Sequence, residues 1–404
     1  MNNLNYVYHP NDRFAWVEIN LDNLDSNLKL VREFIFSCNS EKDNKKPDIM
    51  TVVKANAYGH GLLEISKRAI AAGSSSLGVA LIHEGLRLRN GGVKVPVICL
   101  GAHSPEKVKD AVENDIHLSV TSVNSAKIIS DICSSINKDC RVHIKIDTGM
   151  NRIGLDFKNA VKDIIAISKM PGIKTEGVFT HFACASRKED SYNMLQWGRF
   201  KKIMDELKIT CPEIENYHCS NSAAFLRYPE MHLDIVRLGI IIYGINPFNN
   251  DYEDFCSRDV MDFISKLKPV LSLKARISFI KKVQKGENIS YCGTFKTKRD
   301  SIIATIPIGY ADGYSWNFSN KAYAIFNDCL APVVGNITMD QTMIDLTGCN
   351  GAGDAKAGDE VVLIGHGGGK QITANELADL IETINYEIIC MIGDRIPRIY
   401  TKGG

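Results

Sequence analysis

Short apolar runs alternate with amphipathic stretches about eight times over the first 250 residues of this 404-residue chain. Phe14–Ile19, Ile49–Val53, Ser76–Ala80, Val95–Leu100, His117–Val120, Arg141–Ile146 and Gly177–His181 read as strands. Apolar residues at helical spacing separate them, at Leu21–Phe36, Leu62–Ala72, Ile82–Arg89, Pro105–Glu113, Val123–Ser134, Phe157–Ser168 and Ser191–Leu207. Glu215–Cys219, Leu233–Val236 and Ile240–Tyr243 add further short apolar runs. A strand followed by a crossover helix favours parallel pairing with the next strand. A doubly wound sheet would read similarly. A count near eight and a length near 250 favour an N-terminal (β/α)8 TIM barrel.

The pattern changes after about residue 262. Val270–Lys281, Ser301–Pro307, Tyr323–Val334, Gln341–Leu346 and Asp359–Ile364 are β-rich runs separated by Gly, Asn and Asp turns. Thr373 and Glu376 form a capping-box pattern ahead of a helix at Leu377–Ile384. The expectation is an α/β chain in two domains: a barrel over residues 1–262 and a mainly β C-terminal domain over 263–404.

Composition excludes several classes. Lys+Arg number 48 and Asp+Glu 47, a net charge of +1, so no general field for nucleic acid exists. With 45% hydrophobic residues the chain is not of the disordered type. No apolar window is long enough to predict a membrane span. The first residues lack a basic stretch followed by an apolar core, so no secretory signal is expected, and the location expected is cytoplasmic. Twelve cysteines occur with no C-x-x-C pair and no zinc spacing, which predicts mostly buried, reduced thiols and no metal. Gly365–Lys370 lacks the glycine and hydroxyl positions of a nucleotide loop and reads as a surface turn.

The sharpest candidate for chemistry is Val52-Val53-Lys54-Ala55-Asn56-Ala57-Tyr58-Gly59-His60-Gly61. Lys54 follows an apolar β run, where a barrel strand ends on its catalytic face. Partial desolvation there lowers a lysine's pKa and frees its amine as a nucleophile. Other motifs follow in order. They include Lys145-Ile146-Asp147-Thr148-Gly149-Met150-Asn151-Arg152, Thr180-His181-Phe182-Ala183, Asn221-Ser222-Ala223-Ala224 and Val236-Arg237-Leu238-Gly239-Ile240. Ser290-Tyr291-Cys292-Gly293-Thr294, Pro307 to Gly313, Met339-Asp340-Gln341 and Arg395 to Tyr400 complete the series. In joint order and spacing, from about Trp16 to Tyr400, these motifs resemble those of the alanine racemases.

The resemblance implies a pyridoxal 5'-phosphate enzyme, an amino-acid racemase, working as a homodimer on a small amino acid. Lys54 would hold the cofactor covalently and then act as one acid/base. Tyr291, supplied by the partner subunit, would be the other. Racemisation needs a proton to leave Cα on one face and another to return on the opposite face. A tyrosine titrates at about pH 10, so it needs help to act as a base. His181 and Arg237 match the residues that supply it. Arg237 would also face the pyridine nitrogen; a guanidinium does not readily give up a proton, which weakens the ring as an electron sink and disfavours side reactions. Tyr58, Asn221, Ser222, Gly239 and Ile240 match the cofactor and phosphate positions. Arg152, Tyr310, Met339, Asp340 and Asp394 match the substrate end. Lys145 matches a lysine carbamylated in many relatives.

Some positions depart from the family. Asp394 stands where a tyrosine is usual beside the substrate methyl, and Asn336, Trp316 and Ser186 replace residues that guard the entrance. These changes raise serine or a broader amino-acid range as an alternative substrate. A decarboxylase on the same barrel would use a Gly-rich phosphate loop and lack the tyrosine motif. A non-catalytic cofactor-binding protein of this barrel type would lack the β domain.

Overall fold

The computed structural model describes residues 13–38, 46–248 and 252–402. The chain divides into two compact units. One contains Leu24–Ala57 and Leu62–Lys268; the other contains residues 13–23, 58–61 and 269–402.

The first unit is the barrel. Eight parallel strands follow one another in the order Ile235–Leu238, Asp48–Val52, Ser76–Val79, Val97–Cys99, Ile116–Val120, Cys140–Asp147, Ile173–Phe179 and Asn216–His218. Asp234 N–H donates to the carbonyl of Tyr217 at 3.1 Å and Arg237 N–H to that of Ser220 at 3.1 Å, drawing the two end strands together. The short strands are buried on both faces, which explains why they read as continuous apolar runs rather than alternating ones. A bulge between Val142 and His143 shifts register against the Ile173–Phe179 strand.

The second unit is mainly β. Its main sheet runs Cys329–Pro332, Tyr323–Phe326, Glu360–Gly367, Leu271–Arg276, Ala15–Asn20 and Arg398–Thr401. Phe279–Val283, Ser301–Ile306 and Thr342–Asp345 form a second, antiparallel sheet.

The structure corrects four expectations. The N-terminal strand is not a barrel strand: Val17 pairs antiparallel with Leu273, and Glu18 pairs parallel with Ile399. Local alternation predicts a strand but not its partners, which lie some 250 residues or more along the chain. Ile240–Tyr243 is a 3-10 turn rather than a strand. The helix expected at Leu377–Ile384 is two, Ala374–Leu380 and Asn385–Cys390, with Glu382 left-handed (φ 57°) between them. The capping box itself forms: Glu376 N–H donates to Thr373 Oγ1 at 3.0 Å and Thr373 N–H to Glu376 Oε2 at 2.7 Å. Finally, Cys329 and Cys349 are joined by a disulfide, their Cα atoms 5.4 Å apart; the other described cysteines are free thiols.

Candidate active site

The chain enters the barrel mouth through an unusual turn. Ala55, Asn56, Ala57 and Tyr58 all have φ of 52–54°, a left-handed helical turn made without glycine. Such backbone costs about 1–2 kcal/mol per residue, so it persists only where neighbours fix it. Buried Glu84 accepts the Ala55 N–H at 2.6 Å and those of Ala80 and Leu81 at 2.9 and 3.1 Å. Asn56 Oδ1 accepts the Leu62 N–H at 2.9 Å, and Ala57 N–H donates to Val53 at 2.8 Å. The turn places Lys54 directly after the Asp48–Val52 strand, exposed at its C-terminal end.

The adjacent strand Ile235–Leu238 and others further round bring a buried cluster to the same end of the barrel. Arg237 is 4% exposed and donates to the carbonyls of Thr180 and Cys219 at 2.8 and 2.9 Å. It also donates to Nδ1 of His218 at 3.0 Å and to Nδ1 of His181 at 3.2 Å. Burial lowers the Arg237 pKa to about 10, so it stays protonated at neutral pH. Burial, followed by the charges of Arg237, Lys145, Arg152 and Lys54, drives His181 far below its usual value and keeps it neutral. Burial, then Arg237 and Arg152, bring Lys145 down to about 7 against the opposing charge of Asp147. The Lys145 ammonium lies 4.7 Å from the Phe179 ring centroid.

The phosphate positions sit nearby in sequence and space. Gly239 N–H donates to the Ser222 hydroxyl at 3.1 Å, which ties the two together and leaves the hydroxyl proton available to an acceptor. Asn221 uses its side-chain oxygen to cap the Ser222–Arg227 helix, accepting the Ala224 N–H at 3.0 Å. Ile240 is fully buried at the start of the 3-10 turn.

The remaining candidates belong to the β unit. Tyr58 is buried against Tyr386, ring centroids 6.1 Å apart; burial, then Tyr386 and Cys390, push its hydroxyl pKa up. Tyr310, Met339, Asp340 and Asp394 converge from three loops. Tyr310 and Ala311 N–H donate to Thr338 and Met339 carbonyls at 3.1 and 3.0 Å, and Gly393 N–H donates to Asp312 at 3.0 Å. A Cβ on Gly309 would lie 2.2 Å from the Thr338 carbonyl oxygen, so this turn requires glycine. Asp340 pairs with Arg395 at 2.7 Å. Asp394 is exposed, and its charge acts on Arg398, a cation held by the carbonyls of Gly59, Ile392, Gly393 and Ile396. Tyr291 rides a small hairpin between Asn288–Ile289 and Phe295–Lys296 and is 71% exposed.

Asn336 stands where the resemblance expects an entrance residue. It is buried and fastens the Tyr291 hairpin: its Nδ2 donates to the Tyr291 carbonyl at 3.0 Å. Its Oδ1 accepts from Thr294 at 2.9 Å and its carbonyl from Ser290 at 2.6 Å.

Sequence reasoning missed several supports. Gln196, fully buried on the Ser191–Thr210 helix, accepts the Ala183 N–H at 2.9 Å and donates to His181 O at 3.0 Å, clamping the His181 loop. A glutamine on the apolar stripe of that helix was the available signal. Glu84 was legible as a carboxylate at the third helical position.

The residues fit pyridoxal phosphate. Four cations, Lys54, Lys145, Arg152 and Arg237, act together on His181, while Asp147 is the carboxylate among the groups acting on Lys145. Such a site favours an anionic ligand.

Family comparison agrees. Residues 19–247 match the family described as "Alanine racemase, N-terminal domain", and 270–400 match "Alanine racemase, C-terminal domain". The chain belongs to the alanine racemase family. It is 44% identical to the alanine racemase of Clostridium novyi over 97% of this chain and 96% of that one. It superposes on the alanine racemase of Clostridium difficile 630 with TM-score 0.86 and 36% identity, covering 96% of each chain. A histidine racemase from Leuconostoc mesenteroides is also similar, at TM-score 0.85 and 30% identity over 98% of this chain and all of that one. Like its family, the chain is a racemase, an isomerase. Among the described residues no helix is long and apolar enough to cross a membrane.

Proposed function

We propose that this protein interconverts L- and D-alanine with pyridoxal phosphate, as a cytoplasmic homodimer that supplies D-amino acid for cell-wall precursors. The observation that carries the reading is the neutral His181 beside a fixed, protonated Arg237 in a cation-rich barrel mouth.

When bound, the cofactor makes the Cα proton of the amino acid removable by conjugating that carbon to an electron-accepting ring. The chain's own groups do the rest. Lys54 would hold the cofactor and then carry a proton at Nζ on one face. Tyr291 of the partner subunit carries the other proton at Oη. His181 accepts from Arg237 at Nδ1 and so holds its own proton on Nε2, where it can steady a tyrosine oxygen as it loses and regains its proton. Arg237 would offer an N–H to the cofactor's ring nitrogen without surrendering the proton. Tyr58, Asn221, Ser222, Gly239 and Ile240 are assigned to the cofactor and its phosphate. Arg152, Tyr310, Met339 and Asp340 are assigned to the substrate end, and Lys145 to a carbamate that balances Arg152.

Asp394 does not redirect this reading. Asp394 is exposed, and its charge is felt by the nearby Arg398, so it does not stand as an isolated acceptor. The 41–44% identity to several full-length alanine racemases also favours alanine. Racemisation of L-alanine and L-serine, measured side by side by chiral chromatography, is expected to favour alanine by a wide margin. Equal or faster serine turnover contradicts the substrate assignment.

A further inference from the structure

Below Arg237 the barrel interior holds a line of groups that the proposed reaction does not use. Arg237 Nη1 is 3.0 Å from His218 Nδ1. His218 Nε2 is 3.0 Å from His143 Nδ1. His143 Nε2 faces Glu176 Oε2 at 3.9 Å, and the same oxygen lies 2.7 Å from His117 Nδ1. His218, His143 and His117 are 0, 2 and 3% exposed, whereas Glu176 is one-third exposed. The line therefore begins at the catalytic cluster and ends at a carboxylate in contact with solvent.

The donor chemistry gives the line a direction. A guanidinium only donates. His218 therefore accepts at Nδ1 and carries its proton on Nε2, from which it donates to His143. His143 in turn accepts at Nδ1 and carries its proton on Nε2, toward the carboxylate. This holds because both rings are neutral. Burial, then Arg237 and His143, keep His218 well below its ordinary value. Burial, then His117, bring His143 to about 4. Burial would raise the Glu176 pKa, but His117, in contact at 2.7 Å, and Arg141 lower it, so the terminus is an anion.

The surrounding chain is shaped for this line. A Cβ on Gly177 would lie 2.5 Å from His143 Nδ1, the atom that meets His218. The bulge between Val142 and His143 sets that register. The Phe179 ring stacks flat on His218, centroids 4.8 Å apart and planes within 2°.

We propose that Glu176, held by His117, is a positioning residue for the racemase reaction. Its charge faces, at 3.9 Å, the Nε2 end of a one-way hydrogen-bonded pair, His143 and His218, and favours the two tautomers that set the orientation of Arg237. This rests on the reading that Arg237 faces the cofactor ring.

His117, His143 and Glu176 also lie close enough to share a metal ion, their ligand atoms within 4.8 Å of one another. The proton order argues against it. A metal on His143 Nε2 would need that lone pair, which moves the ring proton to Nδ1. His218 would then have to reverse, and its Nδ1–H would meet the N–H of Arg237.

Solid-state ¹⁵N NMR of histidine-labelled wild-type protein tests the chain without relying on any variant. His218 and His143 are both expected to be protonated at Nε2; protonation of either at Nδ1 overturns the proposal. In the cofactor-loaded enzyme, Glu176→Ala is expected to lower kcat about 3- to 30-fold, with KM little changed and the cofactor absorbance shifted. Glu176→Gln, which keeps an acceptor but loses the charge, should fall between. Unchanged kcat and spectrum in both variants overturn the proposal. So does a stoichiometric zinc ion in the wild-type protein that Glu176→Gln releases. A wild-type protein inactive on alanine fails the functional reading alone; reversed tautomers in an active protein fail this inference alone.

Discussion

The barrel mouth and the loops of the β unit carry the candidate residues in opposite states. In the barrel, Arg237, Lys145 and Ser222 are buried, and Arg237 has acceptors at fixed distances. Their environment displaces their chemistry: the Lys145 pKa falls to about 7 and His181 is neutral. In the β unit, Tyr291, Met339 and Tyr310 present 71, 54 and 45% of their surface. Their backbones are nonetheless tightly held, by Asn336 under Tyr291 and by Thr338 and Met339 carbonyls under the Tyr310 turn. One region is buried and held in a fixed hydrogen-bonded arrangement. The other is a rigid support that displays side chains. That contrast suits the proposed site shared between two copies of the chain, in which a residue offered to a partner would be exposed yet fixed.

The largest effect should come from the barrel side. On the proposed mechanism Lys54→Ala would remove both the cofactor anchor and one base, and racemisation should fall by about 10⁴-fold or more. Chiral chromatography reads this directly, and retention of near-normal activity would remove Lys54 from the mechanism.

Next comes the lysine whose amine is poised at neutral pH. Carbamate formation needs the neutral amine, so it should grow as pH rises through about 7. A carbamate signal in ¹³C-bicarbonate-labelled protein should be strong at pH 8.5, weak at pH 6 and absent from Lys145→Arg. The linkage has a definite sign. The folded value lies below the unfolded one, so an unmodified Lys145 costs stability in full below about pH 7. That cost fades as pH rises toward the lysine's ordinary value. Urea midpoints in carbon-dioxide-free buffer should move accordingly.

The smallest effect should come from the support beneath Tyr291. Asn336→Ala strands the Tyr291 carbonyl and the Thr294 hydroxyl, and should destabilise the chain by about 1–3 kcal/mol. Urea unfolding measures this. The kcat for alanine should drop more than KM rises, because the loop loosens while the barrel mouth is untouched; the reverse split would mean that Asn336 acts on substrate entry.

The sequence revealed much of this, and its failures have local causes. Six of the barrel's strands were read as strands because parallel strands buried on both faces leave continuous apolar runs. Ala15–Asn20 misled because its length and apolarity suit either sheet, and its partners lie at the far end of the chain. The left-handed turn at Ala55–Tyr58 was not legible: it contains no glycine, and it is set by Glu84, Asn56 and Val53 rather than by its own propensities. The candidate residues came from motif order, which placed Asn336 at an entrance. Only the structure shows it fastened to the Tyr291 hairpin. The His218–His143–Glu176 line was invisible because its members are scattered over three strands and meet only inside the barrel.

The most direct test mixes two dead variants. Lys54→Ala and Tyr291→Phe chains, each inactive alone, are unfolded, combined in equal amounts and refolded with cofactor. If the site takes Lys54 from one subunit and Tyr291 from the other, half the dimers are mixed and each has one intact site. Roughly a quarter of wild-type activity should then return. Activity no greater than that of the separate variants would contradict a shared site, and with it the account of why the β unit exposes its tyrosine.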